Sequence, residues 1–151
     1  MIIDETNAIV EFRGENRFLS NFHPCTVRYQ DLAYPSSEHA YQAAKSLDPA
    51  VRERIAKCRT AAQAKRKGRE IPLTHEFMCT RHFIMYEIVR NKFIQNRELT
   101  RALLSTRPKF LVEGNTWGDT FWGVCDGKGL NWLGHILMQQ REEFYLWGLP
   151  Q

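Results

Sequence analysis

The segment Tyr34-Pro35-Ser36-Ser37-Glu38-His39-Ala40-Tyr41-Gln42-Ala43-Ala44-Lys45 constrains this chain more than any other. A proline followed by serines predicts the opening of a helix with serine near its cap. At about 100° per residue, Glu38, Tyr41, Gln42 and Lys45 fall on one stripe of that helix. A surface helix normally buries an apolar stripe. This one carries a carboxylate, a phenol, a carboxamide and an amine, on a helix otherwise padded with Ala40, Ala43 and Ala44. Such a stripe faces solvent or lines a site, and pattern alone favours solvent.

The remaining chain predicts a single domain over residues 1–151, with no repeat, linker or low-complexity tract and enough length to bury a core without staples. Residues 8–12, 26–29 and 109–113 carry the β-branched and aromatic side chains of short strands, and residues 14–16 and 30–31 read as turns. Asp48-Pro49 predicts a capped helix through Cys58, and Thr60 caps an alanine-rich helix that Gly68 would end. The longest helix is expected from about Thr80 to Gln95, with Ile84, Ile88 and Val89 inward. A short helix from Glu98 to Ser105 turns Leu99, Ala102 and Leu103 inward, and a last one begins near Asn131 or Trp132. The class expected is α+β, a mainly helical single domain with a few short strands.

No apolar run reaches the roughly 20 residues of a membrane span, and acidic Asp4 and Glu5 argue against a signal peptide. Cys25, Cys58, Cys79 and Cys125 are far apart and make no Cys-x-x-Cys pair. Reduced thiols in the cytoplasm are therefore expected. His23, His39, His75, His82 and His135 show no metal-ligand spacing, so no metal is expected. Charge is uneven: Arg52, Arg54, Lys57, Arg59, Lys65, Arg66, Lys67 and Arg69 are set against only Glu53 and Glu70. Such a run is a solvated helix face or a phosphate-attracting patch.

Several residues could carry chemistry. Glu38, in a first helical turn, sits in the positive end of the helix dipole, which favours its charged form. A carboxylate so placed suits a base, a nucleophile or a stabiliser of positive charge; the plainer alternative is an ordinary helix-start acid. Lys45 could bind phosphate or, if desolvated, attack a sugar aldehyde as an amine; the sequence does not choose between these. The segment Asn115-Thr116-Trp117-Gly118-Asp119-Thr120-Phe121-Trp122-Gly123 follows a predicted strand. There Asp119 and Trp122 could orient a heterocyclic base, or simply form and anchor a turn. Asn131 could cap the last helix or, with that helix's N-terminal amides, hold a phosphate.

The 34–45 segment, preceded by Phe18-Leu19-Ser20-Asn21-Phe22, resembles the opening of the YbiA-like, or NADAR, family. Further landmarks follow in order: Lys92-Phe93, Leu111-Val112-Glu113, Asp119 to Gly123, Gly129-Leu130-Asn131-Trp132-Leu133-Gly134, and Leu137-Met138 with Arg141. The resemblance spans about residues 9–144 and rests on the order of several motifs. It implies an N-glycosidase without cofactor, acting on a ribose joined to nitrogen of a guanine-like base. The implied substrates are a phosphorylated ribosylamino-pyrimidine of riboflavin synthesis, or ADP-ribosyl guanine as a small molecule or in nucleic acid. Cleavage of this kind passes through an oxocarbenium-like ribosyl cation, for which a nearby carboxylate is needed.

The resemblance further implies Glu38, Lys45 and Asp119 as catalytic, and Asn21, Tyr41, Arg69, Phe77, Trp122, Gly123 and Asn131 as substrate-binding. One position departs from the pattern. Where relatives carry a tryptophan eight residues before the position of Met85, this chain has Phe77, which keeps a stacking face but lacks the indole N–H. The rival reading is a non-catalytic nucleotide or nucleic-acid binder that uses the basic run from Lys57 to Arg69.

Overall fold

The computed structural model describes residues 4–149, in two compact units: one of residues up to Ser20 with those from Arg97 onward, the other Asn21–Asn96. The class is α+β and mainly helical, as the sequence leads one to expect, with strands of only two or three residues.

In the second unit, β2 (Val27–Tyr29) and β3 (Leu32–Tyr34) form an antiparallel hairpin in register Val27↔Tyr34. Its turn at Gln30-Asp31 puts Gln30 at φ 54°. Helix α1 (Ser37–Ala43) follows, then α2 (Pro49–Ala56), α3 (Ala61–Gly68) and α4 (His75–Gln95). Each helix starts at a side-chain cap. Ser36 accepts from His39 N, Asp48 from Ala50 N, Thr60 from Gln63 N and Thr74 from Phe77 N. Helix α4 thus begins five residues before the expected Thr80. The cap at Thr74 after Pro72 is the start signal, and the buried stripe begins at Phe77 and continues through Met85, Ile88, Val89 and Phe93. Its C-terminal end holds the hairpin: Gln95 Oε1 accepts from Arg28 N at 2.7 Å, and Gln95 Nε2 and Asn91 Nδ2 donate to Arg28 O.

Helix α1 is shorter than the sequence suggests. Lys45 N and Ser46 N donate to Gln42 O and Ala43 O, three residues back, so the chain tightens and leaves the α-helix before Lys45.

In the other unit, β1 (Ala8–Ile9) pairs in parallel with β4 (Phe110–Leu111), and β5 (Gly114–Asn115) with β6 (Val124–Cys125). Residues 14–16, expected as a turn, open a 3-10 helix, Gly14–Leu19. Helix α5 (Arg97–Ser105) buries Leu99, Thr100 and Leu103, leaving Ala102 half-buried. Helix α6 (Trp132–Trp147) buries Leu133, Ile136, Leu137 and Phe144 at helical spacing. Its Arg141 is also buried, its guanidinium donating to Lys109 O at 2.8 Å and Thr106 Oγ1 at 3.0 Å. No helix among the described residues is long and apolar enough to cross a membrane.

Candidate active site

Every residue of α1 is buried, so the solvent-facing reading of its polar stripe does not hold. Glu38 is 7% exposed and Gln42 4%. The Glu38 backbone N–H donates to Asn21 O at 3.0 Å, and its Oε1 accepts from Gln42 Nε2 at 2.8 Å. Asn21 in turn donates Nδ2 to Met85 Sδ at 3.4 Å, while its Oδ1 is buried without a partner among the described residues. Tyr41 packs its ring on Phe77, centroids 5.6 Å apart and tilted by 46°.

Lys45 lies just past the helix and half-buried, with Nζ 3.5 Å from Gly68 O. Burial pushes its ammonium below the usual lysine range; the Glu38 charge opposes this, and Arg69 and Lys65 add to it. The amine is thereby brought toward its neutral, nucleophilic form. Arg69 caps α3 on the exposed side. The basic run is mostly the outer face of α2 and α3, with Arg59, Arg66, Lys67 and Arg69 exposed while Ala61, Ala64 and Gly68 turn inward.

His39 is fixed by chemistry on both ring nitrogens. Nε2 lies 2.9 Å from Cys58 O, and Nδ1 2.6 Å from Ser36 Oγ. A carbonyl only accepts, so Nε2 carries the proton and the serine hydroxyl donates to Nδ1. Burial accordingly pushes the His39 pKa down. The neutral ring ties the start of α1 to the end of α2. Sequence reasoning passed over His39, and placed Gln42 on the polar stripe without giving it a role. The Ser-x-x-His spacing, like a capping box, was the readable sign of the first, and Gln42's place four residues from Glu38 was that of the second.

The unit holding the other predicted residues disposes of its polar groups differently. Asp119 Oδ1 accepts from the backbone of Phe121 at 3.1 Å and Trp122 at 2.9 Å. Asn115 Oδ1 accepts from Asp119 N at 3.0 Å, and its Nδ2 donates to Asp119 O at 2.8 Å. These are the bonds of a turn former. Trp122 stands edge-on to Phe121, centroids 4.7 Å apart. Gly123 is buried where a Cβ would lie 2.8 Å from Asn115 Nδ2 and collide with Glu113 O.

Asn131, at φ 52°, makes no cap bond to α6. Its Oδ1 accepts from Glu113 N and its Nδ2 donates to Leu111 O, both at 3.0 Å. The first amides of α6 are likewise engaged, Trp132 N with Phe121 O and Leu133 N with Trp122 O. The side-chain cap is therefore not formed, and the Asn131 amide and the first two N–H groups of α6 are engaged with backbone groups of residues 111–122. Beside this loop a groove of about 760 Å³ runs past Glu11, Arg13, Asn115, Leu130, Asn131 and His135. Among the described residues no three His, Cys, Asp or Glu side chains gather as a metal site.

The NADAR domain model matches residues 11–145 of this chain. Among curated proteins, a riboflavin biosynthesis protein of Vibrio vulnificus is 43% identical over 83% of this chain, which spans only 35% of that protein's length. The N-glycosidase YbiA of Escherichia coli is 39% identical over 82% of this chain and 79% of its own. An N-glycosidase of Nostoc punctiforme is 38% identical, over 82% and 83%. The NMR structure of E. coli YbiA matches with a TM-score of 0.81 at 35% identity, covering 93% of this chain and 86% of that one.

Proposed function

The chain belongs to the NADAR family, and on that premise we propose that it hydrolyses the N-glycosidic bond between a ribose and a nitrogen of a guanine-like base. The observation that carries this reading is the Glu38 carboxylate, buried, bonded by Gln42 and anchored through its own backbone to Asn21. As the C1′–N bond breaks, its electron pair leaves with the base and positive charge develops on the sugar. A fixed carboxylate in a low-dielectric setting stabilises that charge, and can accept a proton from the water that adds to C1′.

Lys45 acts beside it. Its lowered pKa suits a second route, in which the neutral amine adds to C1′ of the ring-opened sugar, the base leaves with its nitrogen, and water hydrolyses the resulting Schiff base to free sugar. Tyr41 and Phe77 supply an aromatic wall, and the exposed Arg66, Lys67 and Arg69 attract the phosphates of a ribosyl phosphate or an ADP-ribosyl group. Asp119 serves by shaping the loop that presents Trp122 and Gly123. The two substrate classes are ribosylamino-pyrimidine phosphates and ADP-ribosylated guanine, free or in nucleic acid. The name of the Vibrio relative favours the first, those of YbiA and the Nostoc protein name only the bond type, and the exposed basic face suits either.

The test is Glu38→Gln, which keeps the shape and removes the charge. Release of free base should fall on the order of 10²–10⁴-fold with the circular dichroism spectrum and melting curve unchanged. A variant working at near wild-type rate would reduce Glu38 to a helix-start acid.

A further inference from the structure

Gln42 and Gly68 stand in an unusual relation. The Gln42 carboxamide is clasped between Glu38 and the last residue of α3. Its Nε2 donates to Glu38 Oε1 at 2.8 Å. On the other side it lies flat against Gly68, where a Cβ would be 2.6 Å from Gln42 Cδ and 2.9 Å from its Cβ and would collide with Oε1. Gln42 Oε1 is buried and has no partner among the described residues. A buried acceptor left unbonded is costly, so the amide has a reason to turn over. Turning it would set Oε1 against the Glu38 carboxylate, oxygen to oxygen, and that is worse still. The carboxylate thus fixes the sense of the amide, and the bare Gly68 Cα leaves room for its oxygen.

Nothing about the backbone requires glycine at this position. Gly68 lies within α3 and is not among the residues with positive φ. In a helix alanine is ordinarily preferred to glycine. The missing Cβ is explained by what it would touch. Gln42 has little freedom to move away, being 4% exposed on a helix whose every residue is buried. Nor does the contact involve only the pliant end of the side chain, since Gln42 Cβ is itself within 2.9 Å of the absent methyl. The same glycine offers its carbonyl to Lys45 Nζ at 3.5 Å.

We infer that Gln42 and Gly68 form a clamp that positions the Glu38 carboxylate for N-glycosidic cleavage, Gln42 as the hand and Gly68 as the space it needs. This rests on the reading of Glu38 as the catalytic carboxylate. The clamp acts after substrate has bound, because it orients one charge toward the developing cation and forms no part of the phosphate-attracting face.

The experiment has two arms. In the first, turnover of ADP-ribosylated guanosine and of the ribosylamino-pyrimidine phosphate is measured for wild type, Gly68→Ala, Gln42→Ala and the double variant. The single variants should each lose roughly 10- to 100-fold in kcat, with KM within about threefold. The double variant should be no worse than Gln42→Ala, because the new methyl finds space once the amide is gone. Multiplicative losses, or a Gly68→Ala protein with wild-type kcat, would overturn the clamp. In the second arm, which needs no substrate, the Gln42 side-chain amide protons are followed by ¹⁵N NMR. They should be protected from exchange in wild type and lose that protection in both Gly68→Ala and Glu38→Ala; protection unchanged in either variant overturns the clamp. A wild-type protein inactive on both substrates but protected at Gln42 keeps the clamp and counts against the N-glycosidase reading alone.

Discussion

In α1 Glu38 and Gln42 bond to each other, whereas in the loop between β5 and α6 the polar side chains bond to the backbone. Glu38 and Gln42 share a hydrogen bond of 2.8 Å, and buried oxygens of Gln42 and Asn21 have no partner among the described residues. Asp119, Asn115 and Asn131, by contrast, reach main-chain groups of residues 111–124 with their side-chain atoms. Both regions attract attention in the sequence for the same reason, polar residues beside aromatics. A backbone-satisfied loop is rigid architecture. A buried helix face whose carboxylate is bonded by a side-chain amide, with a half-buried lysine just beyond it, holds those groups for chemistry.

The contrast can be broken most easily at Asn131. Asn131→Ala removes the partners of Glu113 N and Leu111 O and should cost about 2–5 kcal/mol of stability. The melting temperature would fall by roughly 5–15 °C. Turnover per folded molecule should stay close to wild type at temperatures well below the melt. A variant that melts normally but binds substrate poorly would make Asn131 a ligand residue instead.

Asp119 sharpens the same point with a smaller effect. Asp119→Ala should lose about 1–2 kcal/mol, seen in urea unfolding. Asp119→Asn keeps an oxygen at Oδ1 to accept from Phe121 and Trp122, so both stability and kcat should remain within about threefold of wild type. Should Asp119→Asn fold normally and lose turnover, its charge takes part in the reaction and the loop is more than architecture.

The smallest effect is expected at His39, and only in acid. Burial holds its pKa below the ordinary histidine range, so the unfolded chain binds this proton more readily than the folded one. The stability due to the neutral ring is complete above the ordinary histidine value. It declines as pH falls below that value toward the folded one. Melting temperature followed from about pH 7 to pH 5, where histidine titrates, should therefore drop less steeply in His39→Gln than in wild type. Equal slopes would mean that His39 does not link α1 to protonation.

What was legible in the sequence was local. Asp48-Pro49 and Thr60 announce α2 and α3 because a cap and its target lie two or three residues apart. Glu38 was found by its motif, and its bond to Gln42 spans one helical turn. The misreadings have physical causes. The start of α4 was set by Thr74, whose cap lies ahead of the obvious apolar stripe. The role of Asn131 was hidden because its partners are 18 and 20 residues away. Gly68 read as a helix stop, whereas the reason for it stands 26 positions earlier in Gln42 (68 minus 42) and shows only when α3 is laid beside α1.

Central to this account is that the bond broken joins sugar carbon to base nitrogen. Hydrolysis of ADP-ribosylated guanosine and of the ribosylamino-pyrimidine phosphate in ¹⁸O-labelled water, with products resolved by mass spectrometry, tests it most directly. Free base is expected with all its nitrogen and no label, with one ¹⁸O on the C1′ hydroxyl of the released sugar. Label in the base or in phosphate, or no base released from either substrate, would contradict it.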